Sequence, residues 1–345
     1  RPKVGYPTPR GAFGGKAMVQ SVSPGTLLGN RYKVLELIAQ GGMGAVYKCS
    51  DTRLAGRLCA VKETRIDPTL SPTQLKQMQE QFKREATTLA TLDHPNLPKV
   101  SDYFSSGGRH YLVMDFVAGQ DLLSLLKSRP AGRLGLPVAQ VLAWADQLCA
   151  ALHYLHTQDP PILHRDIKPA NIKLADSGLV KLVDFGLVKW MAPDDNSTIT
   201  VIQGLGTLAY TPLEQYGGDT GHTDPRTDIY ALGATLYHLL TGQPPASAKE
   251  RFLKPDSFIP PQQIVPDLPP HVAGAILRAM AMHPQDRPSS VQEFRAMLHG
   301  EDVPLSANAS GAVQPTWTGL LRQDLPLVIL AGLLLLASLL VSLGL

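Results

Sequence analysis

Leu163-His164-Arg165-Asp166-Ile167-Lys168-Pro169-Ala170-Asn171 is the stretch on which the reading of this chain turns. A run of basic and acidic side chains in a loop is ordinarily solvated. This run follows a long apolar-striped segment, Val138–His156, and leads into apolar Ile172 and Leu174. Charges held among apolar neighbours are costly, so they point to chemistry rather than to a solvated face. Asp166 is suited to accept a hydroxyl proton, Asn171 to bind a metal, and Lys168 to stabilise a developing negative charge. Asp184-Phe185-Gly186 lies thirteen residues past Asn171, after the strand-like Val180-Lys181-Leu182-Val183. A carboxylate at a strand end followed by glycine suits Mg²⁺ held with several waters and substrate phosphates.

Upstream, Tyr32–Ile38 alternates like a strand and runs into Gly41-Gly42-Met43-Gly44-Ala45-Val46. Glycines between two strands let backbone N–H groups approach phosphate oxygens, although a glycine-rich hairpin is also simply a turn. Further strands are expected near Ala45–Cys49 and Arg57–Glu63, with Lys62 alternating among apolar residues. A lysine so placed either snorkels to the surface or holds phosphates inside a cleft. Ser71-Pro72-Thr73-Gln74 has the form of a capping box with proline at the first helical position. The helix it opens carries Leu75, Met78, Phe82 and Leu89 as an apolar stripe, and Glu85 lies on that side. Strands near Lys99–Phe104 and His110–Phe116 complete a small α+β lobe.

Downstream the pattern is helical. Pro137 starts the 138–156 helix. Asp228–Leu240 is stopped by Thr241-Gly242 and then Pro244-Pro245, and helices follow at Val272–Met282 and Val291–His299. Residues 325–345 carry no charge. At about 1.5 Å per residue they reach about 31 Å, the thickness of a bilayer's hydrocarbon core, and are expected to form a transmembrane helix.

The chain has 345 residues and a formal net charge of +3. Residues 1–31 hold five basic residues and no acid, and read as a flexible tail; the remainder is slightly acidic, so no nucleic-acid partner is expected. With 44% hydrophobic residues, global disorder is excluded. The three cysteines, Cys49, Cys59 and Cys149, show no CxxC spacing, which argues against a disulfide framework or a cysteine zinc site and for a reducing compartment.

Taken in order, the glycine loop, lysine, helix glutamate, HRDIKPAN and DFG resemble the protein kinase superfamily, and within it the membrane-anchored bacterial serine/threonine kinases. The resemblance covers about Tyr32 to Leu298. It implies a bilobed α+β kinase fold: a small antiparallel-sheet lobe with one helix over 32–116 and a mostly helical lobe over 117–299. A linker over 300–324 and the 325–345 helix follow. It further implies ATP as phosphate donor with Mg²⁺, or Mn²⁺ in its place, and protein acceptors at Ser or Thr.

The implied roles attach to residues as follows. Gly41, Gly42 and Gly44 belong to the loop over the ATP phosphates, and Ile38, Val46 and Ala60 to the adenine site. Lys62 holds the α- and β-phosphates and pairs with Glu85. Met114 is the gatekeeper, and Asp115-Phe116-Val117 the hinge. Asp166 is the base, Lys168 its cationic neighbour, and Asn171 and Asp184 are the metal ligands. Asp228 braces the catalytic loop, Glu214 and Arg287 form a buried ion pair beneath the peptide platform, and Gly206-Thr207 receives the acceptor residue. Arg165 is matched to a charge that a phosphorylated Thr198 or Thr200 neutralises, through autophosphorylation in a transient homodimer. The resemblance places the kinase domain in the cytoplasm, held by a single membrane pass.

Two departures stand out. Ala39 replaces the first loop glycine, which stiffens the loop, and Pro212-Leu213-Glu214 replaces Ala-Pro-Glu in the platform. The main rival readings are a catalytically dead scaffold and a small-molecule phosphotransferase of similar fold. The first is opposed by the presence of Lys62, Asp166, Asn171 and Asp184, the second by the platform residues Thr207 and Glu214.

Overall fold

The computed structural model describes residues 21–41, 44–65, 70–130, 134–184, 208–216 and 223–301. The chain divides into two compact units, Arg1–Glu301 and Asp302–Leu345, and every described residue belongs to the first.

The small lobe is a six-stranded antiparallel sheet in the order β1-β2-β3-β4-β6-β5. Its strands are β1 (Leu27–Leu28), β2 (Tyr32–Gly41), β3 (Gly44–Asp51), β4 (Leu58–Arg65), β5 (Val100–Ser106) and β6 (Arg109–Asp115). Strict alternation in β3 and β4 gives the sheet two different faces. Tyr47, Cys49, Cys59 and Val61 point to an outer cluster that also holds Leu28, Tyr32 and Val113. Val46, Ala60 and Lys62 point the other way, with Val46 opposite Lys62 and Ala60 opposite Met114. Gly44 is required by packing: a Cβ there meets the Glu63 carbonyl oxygen at 1.8 Å.

Helix α1 (Pro72–Thr91) begins where the capping box demands. Gln74 N–H donates to Ser71 Oγ, and the Gln74 side chain accepts from Ser71 N–H. It buries Phe82, Ala86 and Leu89.

The segment before Tyr32 differs from the expected tail. Residues 21–31 are part of the fold: β1 pairs with β2, Val22 N–H donates to the Tyr47 hydroxyl, and Arg31 binds Asp51 through two nitrogens at 2.9 and 2.7 Å. The reason is the apolar outer face, which Val22 and Leu28 cover.

The large lobe is assembled around α4 (Pro225–Thr241), in which every residue from Thr227 to Thr241 is buried. A helix buried on all sides is the axis of a core, and its few polar side chains, such as Asp228 and His238, are hydrogen-bonded. Its N-cap is Asp224, earlier than the sequence pattern places it, and Gly242 closes it in a left-handed conformation at φ 78°. Around it lie α2 (Leu122–Lys127), α3 (Val138–His156), α5 (Ala248–Leu253), α6 (Pro261–Ile264), α7 (Pro270–Ala279) and α8 (Val291–Leu298). Leu148, Leu152 and Leu155 of α3 are fully buried, each contributing about 1.5–3 kcal/mol in transfer free energy. A three-stranded sheet, β7 (Gln120–Asp121), β8 (Ile172–Leu174) and β9 (Val180–Leu182), follows the 163–171 stretch at β8. No helix among the described residues is long and apolar enough to cross a membrane, and 325–345 lies outside them.

Candidate active site

The 163–171 stretch is held from below by one buried carboxylate. Asp228, near the start of α4, accepts from His164 N–H and Arg165 N–H, both at 2.8 Å, and from His156 Nε2 at 2.9 Å. These partners hold its carboxyl below the usual range in spite of burial, which pushes the other way. The two backbone donors fix a turn in which Arg165 takes φ 62°, a region costly for a side chain with a Cβ. Asp228 thus bonds the backbone of His164 and Arg165, the two residues that lead to Asp166. His156 and the Arg165 backbone were not legible in the sequence, because a histidine at a helix end carries no signal of what it meets across 72 residues.

Above this brace the polar groups converge. Lys168 Nζ lies 2.9 and 3.2 Å from the two Asp166 carboxylate oxygens. Asn171 Nδ2 donates to the Asp166 carbonyl at 2.8 Å and to its carboxylate at 2.9 Å. Asp166 is therefore fixed by a cation and an amide, with its side chain 16% exposed. Asn171 commits its side-chain nitrogen to Asp166. Asp184 follows β9 at φ 66° and pairs with Lys62 of β4.

That pairing corrects one expectation. Lys62 bonds to Asp184, and the anticipated Lys62–Glu85 ion pair is not formed. Two carboxylates compete for one ammonium, and here Asp184 holds it. Glu85 instead accepts from Gln81 Nε2 at 3.2 Å, while its Oε2 is buried without a hydrogen bond. Burial raises the Glu85 carboxyl above its usual range, opposed by Gln81 and by the field of Arg165. Arg165 itself is buried and donates to Thr223 Oγ1 at 3.0 Å. Burial draws its pKa down, against Asp228 and Glu85.

Around the cleft, Met114 is buried and Ile38 is 40% exposed. At the hinge, Asp115 N–H donates to the Lys99 carbonyl at 3.0 Å, and its side chain takes Arg57 at 3.2 Å. Lys48 lies over the Phe116 ring at 4.8 Å, and Val117 is half-buried. Gly41 has open space where a Cβ would be, so packing does not demand a glycine there, unlike at Gly44.

Glu214 and Arg287 form the expected ion pair, with nitrogen–oxygen distances of 2.5 and 3.1 Å and the Arg287 side chain wholly buried. Thr227 Oγ1 donates to Glu214, and Arg287 also donates to the carbonyls of Ala281, Arg226 and Met282. Tyr210 OH and His238 Nδ1, 2.6 Å apart, tie the same platform to α4, a link the sequence did not announce. Gly42, Phe185, Gly186, Thr198, Thr200, Gly206 and Thr207 lie outside the described residues.

A metal held by the Asp184 carboxylate and the Asn171 carboxamide, as the family resemblance implies, would meet two hard oxygens. Among the described residues no group of three or more His, Cys, Asp or Glu is placed to hold a metal ion. A two-residue oxygen site fits Mg²⁺, which keeps waters and shares substrate phosphates, better than a metal that needs a full protein cage.

Residues 32–296 match the protein kinase domain family. A probable serine/threonine-protein kinase of Streptomyces coelicolor is 35% identical over 314 residues, covering 87% of this chain and 44% of that protein. Serine/threonine-protein kinase PknB of Mycobacterium tuberculosis is 33% identical over 325 residues, covering 86% of this chain and 50% of its own length. The chain thus spans about half the length of the curated relatives it matches, or less. Among solved structures, the Mycobacterium tuberculosis PknI kinase domain aligns at TM-score 0.60 and 29% identity, and an apo form of PpkA at 0.64 and 30%. Each covers 81% of this chain and 99% of the other.

Proposed function

This chain belongs to the protein kinase family, and from that premise we propose that it transfers the γ-phosphoryl group of ATP to serine and threonine hydroxyls of proteins. The observation that carries the reading is the convergence of Lys168 and Asn171 on Asp166, with Lys62 and Asp184 paired across the cleft. Such transfer demands little covalent chemistry of the protein. It is positioning plus charge neutralisation. Asp166 takes the acceptor proton, and Lys168 offsets charge on the transferring group. Asp184 and Asn171 would hold Mg²⁺, which when bound supplies charge neutralisation at the phosphates. A dead scaffold is disfavoured because every group that performs these tasks is retained and hydrogen-bonded.

The arrangement described is a resting one. Lys62 cannot serve phosphates and hold Glu85 while it is paired with Asp184, so activation requires Lys62 to exchange Asp184 for Glu85. The half-buried, underbonded Glu85 carboxylate gains a partner in that exchange, which makes it favourable once Asp184 is engaged elsewhere. Arg165 and phosphorylation at Thr198 or Thr200 are the proposed trigger, through a transient homodimer.

The uncharged 325–345 segment supports anchoring in the cell membrane by a single pass, with the kinase domain in the cytoplasm where ATP is found. Transfer of label from γ-labelled ATP to a generic protein, followed by phosphoamino-acid analysis, tests the chemistry. Phosphoserine and phosphothreonine are expected, and phosphotyrosine alone overturns the acceptor class. Recovery of the full chain in the membrane fraction tests the anchor, and recovery in the soluble fraction without detergent overturns it.

A further inference from the structure

Cys49 of β3 and Cys59 of β4 stand directly opposite one another in the antiparallel register. Both are free thiols with no exposed surface, in the outer-face cluster of the small lobe. The pair type follows from the ladder. Asp51 N–H donates to the Arg57 carbonyl at 3.0 Å, and pairs alternate along an antiparallel ladder, so Cys49–Cys59 is a hydrogen-bonded pair. Its Cα atoms are therefore about 5.5 Å apart, inside the about 4.4–6.8 Å that disulfides span. The Cβ atoms of opposed residues sit about 4.5–5.5 Å apart, toward or beyond the upper end of what a relaxed disulfide accepts. A bond here closes with a small inward shift of the strands and carries some strain.

We infer that Cys49 and Cys59 are a dithiol that a hydroperoxide converts to a reversible cross-strand disulfide, a modification of the sheet that carries Lys62 and the glycine loop. The first thiolate attacks the peroxide oxygen, releasing an alcohol, or water from hydrogen peroxide, and becoming a sulfenic acid. The opposed thiol attacks that sulfur, forming S–S and releasing water. Two thiols lose two hydrogens in all, and the peroxide is reduced.

Three features set its character. Burial pushes the Cys49 thiol up to about 12, so the closed sheet is unreactive and oxidation proceeds when the lobe opens locally. The 21–31 segment packs on the same apolar cluster through Val22 and Leu28, and the Val22 N–H bond to Tyr47 is one of the contacts that hold it there. Strain makes the bond easily reduced, the mark of a regulatory rather than a structural disulfide. Cys149, 2% exposed in α3 of the large lobe, has no cysteine opposite it and serves as the internal control.

The test uses the full chain in detergent, treated with hydrogen peroxide, then denatured with a maleimide to cap the remaining thiols and digested without reductant. The expected result is one peptide pair joining Cys49 to Cys59, two of three thiols lost, Cys149 capped, and full recovery of three thiols after dithiothreitol. Cys149→Ser leaves the linkage unchanged and Cys59→Ala abolishes it; the wild-type peptide map decides by itself if Cys59→Ala does not fold. Three capped thiols after treatment that fully oxidises an exposed model thiol overturn the inference. So does a linkage involving Cys149, or irreversible oxidation of Cys49 or Cys59 without a bond. None of these outcomes depends on kinase activity.

Discussion

Replacing Asp228 by asparagine tests whether the brace beneath the catalytic loop does what its geometry implies. The carboxylate serves three donors: His164 N–H, Arg165 N–H and His156 Nε2. A carboxamide offers one oxygen, and its NH₂ group must face one of those donors. One buried donor left unsatisfied costs about 1–3 kcal/mol, and the surviving bonds lose their charge assistance, so the total is about 3 kcal/mol. For a domain of this size that is a fall of about 6–12 °C in melting temperature. The Arg165 backbone at φ 62° is then no longer held, and Asp166 is the next residue. A displacement of the base by about 1 Å lowers turnover about 100-fold. The pH dependence has a definite sign. The folded Asp228 carboxyl is depressed, so its contribution is complete above the unfolded value near 3.9 and is lost only as pH falls below it. Above about pH 7, where neither a carboxyl nor an ordinary imidazole titrates, the difference between wild type and Asp228→Asn should therefore be constant. Thermal melts across that range, paired with steady-state phosphorylation, measure both. A melting temperature within about 2 °C of wild type, with turnover within threefold, refutes the reasoning.

Glu85→Gln should keep or raise the melting temperature near neutral pH, because it removes an underbonded carboxylate whose ionised form burial penalises, while phosphoryl transfer falls at least tenfold; a destabilised but active variant counts against the resting arrangement. Arg287→Ala strips Glu214 of its partner and should cost about 3–5 kcal/mol by denaturant unfolding, whereas Glu214→Leu with Arg287→Met together recovers only part of that loss, because the carbonyls of Ala281, Arg226 and Met282 still lack their donor. Arg31 holds the Asp51 carboxyl down to about 2, so Asp51→Asn should destabilise at pH 7 by an amount that shrinks below about pH 4, is mostly lost near pH 2 and is gone only below it, as acid titrations followed by circular dichroism will record.

Much of this was legible in residues whose roles are local. Ser71 and Gln74 cap α1 as their spacing predicts, and Val138–His156 is helical over the anticipated residues. The Glu214–Arg287 pair and the Asp228 brace followed from family motifs and are present. What failed depended on partners far away in sequence. Lys62 has two carboxylates within its compass, and nothing in the local pattern says that Asp184 holds it. The 21–31 segment has a tail-like composition, yet folds because Tyr47, Cys49 and Val61 leave an apolar face that needs cover. Gly44 was read as a phosphate-loop glycine, and the close approach of the Glu63 carbonyl gives it a packing reason that spacing could not reveal.

The proposed function stands or falls with Asp166 as the base. The direct measurement is label transfer from γ-labelled Mg-ATP to a protein acceptor by wild type and by Asp166→Asn, with nucleotide affinity measured on both. Wild type should transfer label to serine and threonine, Asp166→Asn should lose at least 100-fold in rate, and nucleotide affinity should stay within threefold. Equal transfer by the two proteins, or no transfer by phosphorylated wild type with Mg²⁺ or Mn²⁺, contradicts it.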